Sequence, residues 1–438
     1  MDINKLDILA FLILLIPSVQ KSLFLNITFS TKVNISLINS STFFNELLLN
    51  KLVINTNLGT PNQILPLKIK LKYSTLTITS TLSKYNNLTK KFNPKNSTSY
   101  SNISKIERFG YDEFINGIKS LEKFEFEKNK FLDDFKFILV TETYYDVSGV
   151  FGLKLDYDRN LENFSLLKQF KERNLISNLI FFFDFEKTNN SPLKYNGNLI
   201  IGIYPHEYYS TIYKKENYFE MSASPNFSPL NEFFEIKYLE IYYGEKNYDF
   251  SEQIITEIDF SKNYILGTTK FKKYILEEFS KLYEGKCNTI TSKAIDYIIC
   301  DKDINLNKLN NLYLYNANNN YTFVLAPSDL FTSYDNKLYY LIYFKNLETV
   351  STWSLGLVFI RKYNLVFDQE KKIIGCYNNK EVNFDINLLL KIFLILTCVI
   401  IIILIILLMY YRKFLNKRKI RANELENDVD YISFNKTT

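Results

Sequence analysis

The chain has 438 residues, 47% hydrophobic and 23% charged, enough for a large core or two packed lobes and too apolar for a disordered chain. Its formal charge is +6, partly concentrated after residue 411, where seven basic residues accompany four acidic ones, so the balance points to no nucleic-acid partner. A single histidine, the absence of Cys-x-x-Cys and the absence of a glycine-rich phosphate loop argue against multi-histidine metal, zinc and nucleotide sites; no metal or cofactor is expected.

At the N-terminus, Lys5 precedes an apolar run from Ile8 to Ile16, followed by Pro17-Ser18-Val19-Gln20. This reads as a signal peptide over residues 1–22, an uncleaved anchor being the alternative. The run is shorter than the ~20 apolar residues that span a bilayer.

From residue 45 to 377, short runs rich in β-branched and aromatic residues alternate with Asn, Gly, Pro and Ser, which predicts a mostly β body. Apolar spacing of three and four predicts helices in FSLLKQFKERN and FKKYILEEFSKLYE. His206, beside Pro205, reads as a solvated turn residue. Cys287 and Cys300 flank a short segment and are expected to form a local disulfide, which contributes about 3 kcal/mol. Cys376 is then unpaired or bridges to another chain.

Sequons stand at Asn26, Asn34, Asn39, Asn87, Asn96, Asn102, Asn163, Asn189, Asn226 and Asn320. In a luminal body several would carry glycans on surface loops. Residues 392–411 hold no charge, Tyr410 and Tyr411 close the run, and Arg412, Lys413, Lys417, Arg418 and Lys419 follow, with Cys398 inside the run. This predicts a transmembrane helix over 388–411 with the bilayer as partner, in type I orientation. The resulting location is the cell surface or the secretory and endolysosomal system. In the cytosolic tail, 412–438, Tyr431-Ile432-Ser433-Phe434 fits a signal read by a sorting adaptor, through Tyr431 and Phe434, with a bland solvated tail as the alternative.

The body repeats a pattern. Gly59-Thr60-Pro61 leads to a loop at Ser74 and Thr75 and later to Val150-Phe151-Gly152-Leu153. Gly267-Thr268-Thr269 leads, after a similar interval, to Ser354-Leu355-Gly356-Leu357. Two such halves suggest a duplicated, bilobal domain.

Trp353-Ser354-Leu355-Gly356-Leu357-Val358-Phe359-Ile360-Arg361-Lys362-Tyr363, followed by Val366-Phe367-Asp368, resembles the C-lobe signature of pepsin-like aspartic proteases. Leu58-Gly59-Thr60-Pro61-Asn62-Gln63, Phe92-Asn93-Pro94, Ser148-Gly149-Val150-Phe151-Gly152-Leu153 and Gly197-Asn198-Leu199-Ile200-Ile201-Gly202 match that family in the same order. The resemblance implies a bilobal double β-barrel with a central cleft, its lobes roughly 45–205 and 206–377, and a peptide or protein ligand in the cleft.

The family's chemistry needs one aspartate from each lobe, each opening an Asp-Thr-Gly loop, and the two share a proton around a water. No Asp-Thr-Gly or Asp-Ser-Gly occurs here. The resemblance places the first aspartate eleven residues after Gly59, at Lys70. Anchoring the second loop on Gly267-Thr268-Thr269 places the other at Ile265, or at Leu266 with a shift of one. Asp259, upstream, falls outside that frame. Phe109 and Tyr111 lie where the resemblance implies the flap tyrosine. The expectation leans away from an enzyme, toward a membrane-anchored, catalytically inactive binding module. An active endopeptidase with a displaced dyad, or a surface glycoprotein with no cleft ligand, are the alternatives.

Overall fold

The computed structural model describes residues 24–31, 52–71, 73–83, 90–109, 115–127, 130–142, 149–154, 163–186, 195–224, 234–244, 250–292, 294–346, 352–377, 397, 400–401, 403–414 and 418. The chain divides into a body, Met1–Asn378, and a second unit, Asn379–Thr438.

In the body, β1 (Leu25–Thr31), β2 (Leu52–Leu58), β3 (Gln63–Lys70) and β4 (Leu76–Thr79) come first. They are followed by β5 (Ser101–Phe109), β6 (Ile115–Glu127), β7 (Lys130–Glu142) and β8 (Gly149–Gly152). Helix α1 (Leu166–Glu172), β9 (Ile180–Phe185) and β10 (Asn196–Ile201) complete the first half, and the one-turn helix α2 (Pro205–Tyr208) leads into the second. There β11 (Tyr218–Ser224), β12 (Phe234–Tyr243), β13 (Phe250–Ile258) and β14 (Ile265–Leu266) precede helix α3 (Thr269–Leu282). Next come β15 (Cys287–Ser292), β16 (Ile295–Asp301), β17 (Leu312–Asn316), β18 (Tyr321–Leu325) and helix α4 (Pro327–Leu330). The half ends with β19 (Phe331–Tyr334), β20 (Lys337–Tyr340), β21 (Ile342–Lys345), β22 (Trp353–Leu355), helix α5 (Leu357–Tyr363), β23 (Val366–Asp368) and β24 (Ile373–Tyr377).

Both predicted helices form. In α3 the buried side chains are Phe271, Ile275 and Phe279, one per turn, and the Thr268 hydroxyl caps the start by accepting from the Phe271 N–H at 3.2 Å. The strands follow their own period of two: along β3, Leu65, Leu67 and Ile69 are buried while Lys68 and Lys70 are half-buried on the other face.

Strands β2, β3, β8, β4, β7 and β6 pair in that order, and β6 returns to β2, closing a barrel. The second half repeats the inner part of this plan. β3 runs parallel to β8, as β13 does to β22; β4 is antiparallel to β8 and parallel to β7, as β14 is to β22 and β21. The halves meet in one antiparallel sheet of order β1, β10, β9, β23, β24, β11, three strands from each, with β9 and β23 at the centre.

Aromatic rings hold that junction. Phe181 of β9 stacks on Phe367 of β23 with centroids 4.9 Å apart, and Phe183 lies 4.5 Å from Phe260 of the second half. All four rings are buried, and each contributes roughly 1.5–3 kcal/mol relative to exposure.

Several expectations need correction or fall outside the described residues. The body extends upstream of residue 45, because β1 pairs with both β10 and β2. Cys287 and Cys300 are joined as expected, opposite each other across the β15–β16 hairpin. Cys376 is buried in β24 with its Sγ 3.6 Å from the Tyr363 carbonyl, so it presents no surface thiol to another chain. His206 is not a solvated turn residue: it is half-buried in α2, with Nδ1 2.6 Å from the Tyr377 hydroxyl.

In the second unit, 403–414 are helical, with Ile403 to Phe414 exposed. Among the described residues no helix is long and apolar enough to cross a membrane. The predicted span 388–411 lies partly outside them, and the signal segment 1–22, Tyr431 and Phe434 lie wholly outside.

Candidate functional site

The two repeats locate equivalent positions without reference to sequence likeness. In the first half Lys68, Ile69 and Lys70 lie beside Val150, Phe151 and Gly152. In the second, Glu257 and Ile258 lie beside Ser354 and Leu355, so the next residue, Asp259, falls beside Gly356. The backbone agrees: Asp259 N–H donates to the Leu355 carbonyl at 2.9 Å.

The glycines give a second measure. A Cβ on Gly152 would lie 2.4 Å from the carbonyl oxygens of both Tyr73 and Thr75, three and five residues after Lys70. A Cβ on Gly356 would lie 2.4 Å from the Lys262 carbonyl oxygen and 2.1 Å from that of Tyr264, three and five residues after Asp259. The next strand gives a third: Thr77, seven after Lys70, pairs with Val150, and Leu266, seven after Asp259, pairs with Ser354. Lys70 and Asp259 are therefore the equivalent pair.

This corrects the second frame. Ile265 and Leu266 are the strand β14, buried between β21 and β22 and equivalent to Leu76 and Thr77. Gly267 belongs to the lead into α3, whose cap is Thr268. The sequence did carry a usable signal, since the helix cap at Thr268 separates Gly267 from any loop glycine.

The first position is thus a lysine, half-buried, its ammonium 5.5 Å from the centre of the Tyr73 ring. The second is a carboxylate, 6% exposed and heavily engaged. Asp259 Oδ1 accepts from the Ser261 N–H at 2.8 Å and from the Ser261 hydroxyl at 2.6 Å. Its Oδ2 lies 2.9 Å from the ammonium of Lys262, which also donates to the Ser354 hydroxyl at 2.8 Å. Burial alone would raise the Asp259 carboxyl, but the Lys262 charge and the Ser261 hydrogen bonds outweigh it and hold it below the usual carboxylate range. The group is held as an anion already paired with a cation.

The residues that follow differ from hydroxyls as well. Leu71 and Phe260 are both buried, and Phe260 packs on Phe183 and, at 5.2 Å, on Phe367. Where the resemblance implies threonine hydroxyls bracing the two loops, apolar packing holds this region. Lys72 lies outside the described residues.

The candidate flap is the β5–β6 hairpin. Phe109 is the last residue of β5, and Tyr111 lies outside the described residues. Five of the sequons are described, and all five asparagines are exposed: Asn26, Asn96, Asn102, Asn163 and Asn320. Asn34, Asn39, Asn87, Asn189 and Asn226 fall outside. Among the described residues no group of His, Cys, Asp and Glu could hold a metal ion.

No curated protein matches the chain. A family model described as eukaryotic aspartyl protease matches residues 52–378, the span that contains both repeats and every strand of the body except β1. The chain belongs to the eukaryotic aspartyl protease family.

Proposed function

We propose that this protein is a non-catalytic member of the family, a membrane-anchored, luminal or extracellular module that binds a peptide or protein through the region between its lobes. The observation that carries the reading is the pair Lys70 and Asp259 at equivalent positions, with Asp259 ion-paired to Lys262. Catalysis in the family needs two carboxylates that share one proton, one serving as base and the other as acid. An ammonium at one position supplies no carboxylate. A paired, depressed carboxyl at the other resists taking up the proton that an acid must hold.

Membrane attachment rests on the uncharged run from Ile392 to Tyr411 with its basic flank. Its described helical residues, such as Ile403, Leu407 and Met409, are more than half exposed to solvent although apolar, as a lipid-facing helix would be. The disulfide and the exposed sequons fit an oxidising, glycosylating compartment.

Retention of Asp259 favours one other reading, an endopeptidase that works with this acid and a second group. Assay of the full chain on denatured protein at acid pH, with and without an aspartic-protease transition-state mimic, separates the two. No inhibitor-sensitive cleavage is expected; cleavage that the mimic blocks and Asp259→Asn abolishes would establish the second.

A further inference from the structure

Away from the two loops, the chain crosses from the first half to the second over residues 202–217, beneath the shared sheet. The crossing is held by Ile203 and Tyr213, both buried with Ile180, Phe182, Ile200, Val366 and Tyr377. His206, the one histidine of the chain, sits in this crossing. Its backbone N–H donates to the Tyr377 hydroxyl at 3.2 Å, and its ring Nδ1 lies 2.6 Å from the same oxygen.

With the imidazole neutral as the Nε2–H tautomer, the Tyr377 oxygen accepts from the backbone and donates its own hydrogen to Nδ1, which satisfies both groups. Protonation at Nδ1 would put a second N–H on the Tyr377 oxygen and leave the phenolic hydrogen without its acceptor. One proton reverses the direction of the contact that joins the crossing to the last strand of the body.

We propose that His206 and Tyr377 form a proton-operated clasp between the interlobe crossing and β24, closed when the imidazole is neutral and loosened when it is protonated. The surroundings favour the neutral state. On the histidine's own element the Tyr204 ring stacks at 5.2 Å and Glu207 follows; Lys215 approaches from the crossing, Tyr218 from β11 at 5.8 Å and Tyr377 from β24. Beyond them, Tyr204 donates to Asp368 at 2.6 Å, and Lys371 pairs with Glu220 at 2.8 Å. Burial opposes the imidazolium most, Glu207 favours it, and Lys215 opposes it, with a net downward shift.

The sign follows. A histidine whose folded value lies below its unfolded value of about 6.5 stabilises the fold fully above that pH. The contribution is lost as pH falls from there through the folded value. Acidification therefore loosens the crossing, and neutrality closes it.

Hydrogen exchange on the full chain in detergent, at pH 7.5 and pH 5.0 and corrected for intrinsic rates, tests the clasp. Protection of residues 202–217 is expected to fall about tenfold at the lower pH in the wild type, with β2 unchanged. In His206→Phe the crossing should show no such pH dependence, and in Tyr377→Phe, where the imidazole stays buried, a smaller one than in the wild type. Equal protection at both pH values in the wild type, or an equal loss in His206→Phe, overturns the proposal. The single imidazole resonance gives a check that needs no variant: it is expected to titrate below the usual histidine value as the Nε2–H tautomer, and a midpoint at or above that value also overturns it.

Discussion

Lys262 reaches back three residues to place its ammonium 2.9 Å from the Asp259 carboxylate, inside the loop that the fold aligns with Lys70. Both side chains are mostly buried, so the pair is weakly screened and each charge depends on the other. Removing one partner strands the other, at a typical cost of about 3–5 kcal/mol. Lys262→Met is expected to lower the melting temperature by several degrees and to raise the Asp259 carboxyl, since only the Ser261 hydrogen bonds would then oppose burial. An unchanged melting temperature would show that the pair is not coupled.

The pH dependence of the same loop has a fixed sign. Asp259 is depressed in the folded chain, so its contribution is present above the unfolded carboxylate value of about 3.9 and is lost as pH falls through the lower folded value. The stability difference between the wild type and Asp259→Asn should stay constant from neutrality to about pH 5 and shrink below about pH 4. Denaturant titrations at stepped pH read this difference. A wild-type advantage that instead grows as pH falls through about 6 would mean that the carboxyl is raised.

Gly152 and Gly356 should be among the least replaceable glycines of the body. A methyl group on either would meet backbone carbonyl oxygens at 2.4 Å or closer, and backbone cannot swing aside as a flexible side chain can. Gly152→Ala and Gly356→Ala are each expected to cost about 1–3 kcal/mol or more through overpacking. Gly285, where a Cβ would meet nothing within 4 Å, carries only its φ of +73° as an objection, so Gly285→Ala should cost about 1–2 kcal/mol. Melting temperatures of the three variants rank them, and a Gly285 variant that is the worst of the set would contradict the geometry.

Much of this was legible in the residues and some was not, for physical reasons. The period-two runs and the amphipathic spacing in α3 are local signals, and the strands and helices appear where those signals lie. Lys70 was legible because its marker, Gly59, lies on the same β2–β3 hairpin. Asp259 was not, because the nearest glycine-threonine marker belongs to the cap of α3 and set the frame six residues too far along. His206 looked like a turn residue because Pro205 and Glu207 are local, whereas the hydroxyl that holds it lies 171 residues away. β1 was missed because its partners β10 and β2 are defined only in three dimensions.

Reinstating one acid should not reinstate catalysis. Lys70→Asp would put carboxyl groups at both equivalent positions, but Asp259 would remain paired with Lys262 and bonded to Ser261. Two acids work together only when one proton passes between them, and a carboxylate held by an ammonium has little tendency to take that proton. Leu71 and Phe260 would also remain where bracing hydroxyls are expected, with Phe260 fixed against Phe183 and Phe367. The single variant is therefore expected to show no cleavage of a quenched fluorescent peptide between about pH 3 and 6, and no response to a transition-state mimic. Lys70→Asp combined with Lys262→Ser releases Asp259 and is the variant in which inhibitor-sensitive turnover should first appear. Turnover by Lys70→Asp alone would show that Lys262 does not hold the acid, and that one substitution is all that separates this chain from an active protease.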